Sequence, residues 1–256
     1  MITKRIRFIL SAIILSVGFV WTQFLDDSFK FLAIGLLATG TGILSFWSFY
    51  EGLGKDMTLL SLILPVLFTL GVGMFWFLLP TSLYTQIPIV IFYGFGIYVL
   101  SLTMNIYTVS SQRTIALLRA ARGVGFVLTL LTAFLIYDAI FSVRLNLIIS
   151  STLIFVTSVL LFLQGFWSIE LEKKADYSLI SISLVSALAV TQLALLIFFW
   201  PVTVVVGSLF LTSGVYLLLG LGQAKLEDRL FPNVVREYLT VGLIVLVGMF
   251  FATRWG

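Results

Sequence analysis

Neither cysteine nor histidine occurs among the 256 residues. Their absence removes disulfides, thiolate and imidazole metal ligands, cysteine nucleophiles and histidine general bases from the chemistry open to the chain. Charge is scarce as well: Asp, Glu, Lys and Arg make up 10% of the residues, against 61% that are hydrophobic. At a mean hydropathy of +1.17, a water-soluble globule of this length would expose a large apolar surface, so the class is an integral membrane protein. No Gly-rich phosphate loop, Ser-centred elbow or zinc signature occurs. No catalytic residue, metal or cofactor is therefore expected. The formal charge of +4 acquires meaning only from where the cations fall relative to the membrane, and nucleic acid is not an expected partner.

What the sequence does contain is long apolar runs. A helix needs roughly 20 such residues to cross the hydrocarbon core. Nine runs qualify: Phe8–Leu25, Phe31–Tyr50, Met57–Leu79, Ile87–Tyr107, Gly123–Phe141, Leu145–Trp167, Tyr177–Phe199, Val202–Leu221 and Tyr238–Thr253. They are continuous rather than alternating, which predicts helices and not barrel strands. Alternating the sides of successive junctions places twelve of the fifteen Lys and Arg on the side of the N-terminus and only Lys30, Arg144 and Arg254 on the other. The positive-inside rule then puts the N-terminus in the cytoplasm and the C-terminus outside if all nine spans cross; the plasma (inner) membrane is the expected location. "MITKRIRF" resembles a signal n-region, but "VWTQFLDD" lacks a small-residue cleavage site, so the first run is read as a retained anchor.

Phe46-Trp47-Ser48 recurs as Phe166-Trp167-Ser168, and Asp56 recurs as Asp176, at a common offset of 120. "GIYVL" at Gly96 pairs with "GVYLL" at Gly214, Pro80 pairs with Pro201, and Arg7 and Asp26 share the spacing of Arg119 and Asp138. The expected fold is an all-α polytopic membrane protein of about nine transmembrane helices: a four-span repeat over residues 1–117, a second over 118–235, and a ninth span over 236–256 that begins a third copy at Arg236. An even number of spans makes the two repeats parallel.

Trp47 and Trp167, at span ends, are predicted interfacial anchors. Asp56 and Asp176, each just before a span, are predicted helix caps. Asp138 lies inside the end of its span with Arg144 as the nearest cation in sequence; pairing with Arg144 or snorkelling is expected, and an intramembrane carboxylate is the leading functional candidate. Asp26 is its counterpart in the repeat. Gln192, beside Thr191, and Asn105 are amides expected to hydrogen-bond between helices. Pro65 predicts a kink in the third span. The polar segment 222–237, broken by Pro232, is the expected surface for a membrane or cytoplasmic protein partner, the lipid bilayer being the other partner. Spans filled with Leu, Ile, Val and Phe predict a non-enzymatic scaffold or subunit of a larger complex. The alternative is a small transporter or permease for a lipid-like or weakly polar substrate, since carriers of ions or polar solutes place ionisable groups near the midplane.

Overall fold

Apolar runs almost free of interior breakers have one way to satisfy their backbone without water, the i to i−4 ladder of a helix. The structure, a computed structural model, describes residues 3–25, 29–50, 59–79, 83–110, 116–171 and 177–253. Among these residues there are nine α-helices and no strand: α1 (Lys4–Trp21), α2 (Lys30–Phe49), α3 (Leu60–Trp76), α4 (Leu83–Ser110), α5 (Leu118–Ser142), α6 (Leu147–Glu170), α7 (Tyr177–Phe198), α8 (Val204–Leu226) and α9 (Pro232–Ala252). Seven of them, α2 and α4 to α9, are long and apolar enough to cross a membrane. The two others fall short for different reasons. α1 carries Lys4, Arg5 and Arg7 in its first turn. α3 has 17 residues, a length of about 26 Å at 1.5 Å per residue, against roughly 30 Å of hydrocarbon.

The helix ends follow from local chemistry. The Asn146 side chain accepts from the Ile149 amide at 2.8 Å and so caps α6. Helices α6 and α8 close through residues in the left-handed region, Leu171 at φ 51° and Asp228 at φ 55°. At the end of α8 the amide of Arg229 reaches back to the Ala224 carbonyl at 2.8 Å and that of Asp228 to Lys225 at 3.1 Å, which satisfies carbonyls the helix would otherwise leave open. Pro232 then opens α9 at its first turn, where its missing N–H has no partner to lose.

The chain forms two compact units, Met1–Leu128 and Thr129–Gly256. Their boundary falls within α5, not at its first residue. In the first unit α1 packs on α2 and α4, α2 on α3, and α3 on α4. Its core is aromatic: Phe19 stacks on Tyr93 at 4.6 Å between centroids and meets Trp76 edge-on at 5.1 Å. In the second unit α6 packs on α7 and α8, α7 on α8, and α9 on α8. Phe162, Phe166, Leu211 and Leu219 are fully enclosed there. Helix α9 is peripheral, with Met249 its only buried residue; Tyr216 and Tyr238 lie 5.0 Å apart between α8 and α9, and the Trp200 indole donates to Thr253 Oγ1 at 2.8 Å.

Candidate functional site

Two groups of buried polar side chains link helices within the units. In the first unit Thr41 of α2, Thr69 of α3 and Tyr93 of α4 are all fully buried. Thr41 Oγ1 lies 2.9 Å from Thr69 Oγ1, and Thr69 Oγ1 lies 3.1 Å from the Tyr93 hydroxyl. Each hydroxyl has a single proton to give. A chain in which Tyr93 donates to Thr69, Thr69 to Thr41, and Thr41 to the Leu37 carbonyl at 2.9 Å uses all three, and ties three helices together where burial makes an unmade bond expensive.

In the second unit Asp138 and Tyr137 sit side by side on α5, both buried. The Tyr137 hydroxyl is 2.7 Å from Ser158 Oγ of α6, and Ser208 Oγ of α8 lies 3.1 Å from Asp138 Oδ1. Ser208 Oγ is also within reach of the carbonyls of Val204 at 2.9 Å and Val205 at 3.1 Å. Its one proton is thus contested between its own helix and the carboxylate. Asp138 is 4% exposed, as expected of a candidate intramembrane carboxylate, but its partner is a hydroxyl and not the expected Arg144. The helix explains this: Asp138 is buried against Ser208 of α8, whereas Arg144 lies beyond the end of α5 in a left-handed turn at φ 52° and is exposed. Arg144 instead lines a cavity of about 370 Å³ at the end of the unit, together with Phe141, Trp200, Thr203 and Gly207.

Other expected sites separate. Gln192 is exposed on α7 and does not lie between helices. The buried stripe of α7 runs through Ala187, Val190 and Ala194, and a residue two positions from both Val190 and Ala194 sits about 200° around the helix from either. Asn105 is half-buried, and its carbonyl accepts from Thr108 Oγ1 at 2.9 Å. The two tryptophans occupy unlike surroundings: Trp47 is 41% exposed with the Arg7 guanidinium 5.8 Å above its ring, whereas Trp167 is 1% exposed. Trp167 is enclosed because every residue from Gln164 to Ser168 at the end of α6 is buried. Asp26, Asp56 and Asp176 lie outside the described residues.

No group of three acidic, His or Cys side chains able to hold a metal occurs among the described residues. The hydroxyl partners Tyr93, Tyr137 and Ser208 were not singled out in the sequence. A tyrosine within an apolar span was the available signal for Tyr93 and Tyr137, since a buried hydroxyl must find an acceptor or donor inside the bundle.

Comparison with known proteins gives one result. The chain belongs to the family described as "Protein of unknown function (DUF5656)", whose family model matches residues 8–252. No curated protein and no solved structure matches the chain.

Proposed function

We propose that the protein is a non-enzymatic membrane scaffold or a subunit of a larger complex, resident in the plasma (inner) membrane and built from a duplicated four-helix unit. One observation carries this reading: buried polar side chains pair with one another across helices, as in the Tyr93–Thr69–Thr41 chain and the Tyr137–Ser158 and Asp138–Ser208 pairs. Transport of an ion or polar solute calls for polar groups turned toward a water-filled path. Here they staple helices.

The duplication has support in the pairing of helices. A Cβ at Gly96 of α4 would come within 2.5 Å of the Phe68 ring on α3, and one at Gly214 of α8 within 2.9 Å of Leu193 on α7, so the aligned glycines serve the same helix contact in each unit. Nine crossings and a cytoplasmic N-terminus belong to the same reading. The turn from α8 to α9 within 222–237 displays Leu230 and Phe231, 46% and 61% exposed, beside charged Asp228 and Arg229. Apolar side chains exposed in a turn suit contact with a protein partner.

The test is purification of the tagged full chain in mild detergent with identification of retained proteins. A partner present in stoichiometric amount, and lost on replacing Leu230 and Phe231 by Ser, is the expected result. A chain that purifies alone and moves a lipid-like solute across reconstituted vesicles would overturn the reading in favour of a permease.

A further inference from the structure

The first unit carries an open apolar groove of about 640 Å³ between α1 and α4. Its floor consists of small residues, Ala12 and Ser16 of α1 and Gly94 of α4, and its walls include Ile13, Val17 and Phe95. The floor is shallow because the helices nearly touch there: a Cβ at Gly94 would sit 2.5 Å from Ser16 Oγ. The walls stand away from the bundle, with Ile13, Val17 and Phe95 exposed by 54%, 60% and 67%.

We infer that this groove binds one acyl chain of an anionic phospholipid, whose phosphate meets Arg5. Occupancy of the groove rests on α1 entering the membrane, as in the nine-crossing reading, and not on the scaffold role. Three observations select that occupant. Along α1 the groove runs from Ile9 to Val20, about 16 Å at 1.5 Å per residue, which is the depth of one leaflet in a hydrocarbon core roughly 30 Å thick. Its volume falls in the 300–1,000 Å³ range of small-molecule sites. Charge supplies the third. Arg5 precedes Ile9, Ala12, Ile13 and Ser16 by 4, 7, 8 and 11 positions, so it shares their face of α1, one turn beyond the end of the groove, and it is exposed. An apolar channel one leaflet deep with a guanidinium at its end matches the two ends of a phospholipid in both polarity and spacing.

The experiment reconstitutes the full chain in vesicles containing photoactivatable phosphatidylglycerol or phosphatidylcholine with a diazirine in the acyl chain, and maps the adducts by peptide mass spectrometry. Phosphatidylglycerol adducts are expected to concentrate on residues 9–20 and 90–98 over the equally exposed apolar face of α9, which includes Leu243, Ile244 and Phe251. Arg5→Gln, an exposed change that leaves the helix packing alone, should lower this labelling about fivefold, the effect of one basic residue near an anionic surface, and Arg5→Lys should restore most of it. Val17→Trp should reduce labelling by both lipids by filling the groove. Equal labelling of α1, α4 and α9, or phosphatidylglycerol labelling indifferent to Arg5→Gln, would overturn the proposal. So would a groove shielded from both probes by a second copy of the chain.

Discussion

Asp228 and Leu171 share a left-handed backbone but stand in opposite surroundings, and this separates strain from burial. Asp228, exposed at the end of α8 with φ 55°, gains little from its side chain there. Asp228→Gly should raise stability by about 0.5–1 kcal/mol, read as a higher unfolding temperature in detergent. Leu171 is 8% exposed, and Leu171→Gly should be net destabilising, because lost burial of about 2–3 kcal/mol exceeds the strain relieved. At the polar cluster, Ser208→Ala removes the hydroxyl beside Asp138. A loss of about 1 kcal/mol is expected. The double-mutant cycle with Asp138→Asn tests it: an effect of Ser208→Ala that is the same with and without Asp138→Asn would mean that the two side chains are not coupled.

Helices are where sequence and structure part over the first and third spans. The apolar runs beginning at Phe8 and Met57 are long on paper, yet α1 spends its first turn on three cations and α3 has 17 residues. Because the chain lacks cysteine, single-cysteine labelling from either side of a vesicle gives a clean decision. If α3 crosses, Tyr50→Cys and Leu78→Cys label from opposite sides; if only the seven longer helices cross, both label from the same side. The start of α6 offers a second check at this scale. Asn146→Ala removes the cap on the Ile149 amide and should cost about 1 kcal/mol, a change that thermal unfolding resolves.

For the whole molecule, the turn at Leu230 and Phe231 is the surface on which the scaffold reading stands. Replacing both residues by Ser should abolish retention of the partner while leaving the unfolding temperature within a degree or two, since neither side chain is buried. A large fall in unfolding temperature would instead make them structural, and the partner surface would have to be sought elsewhere.

Composition and continuous apolar runs determined the helical membrane class without help from coordinates, because a backbone in lipid has no other way to pair its amides. Asp138 stood out because charge is rare in these runs, and its carboxylate is buried in the bundle. Facing was not legible. α7 scatters its hydroxyls and its amide around an apolar helix, and packing turned Ser183, Ala187, Val190 and Ala194 inward and Gln192 outward. The same holds for Trp47 and Trp167, which share Phe-Trp-Ser and differ in burial, 41% against 1% exposed. Within a membrane the hydrophobic effect does not tell a lipid-facing side chain from a core one, so shape and hydrogen bonding decide, and these exist only once the helices have met.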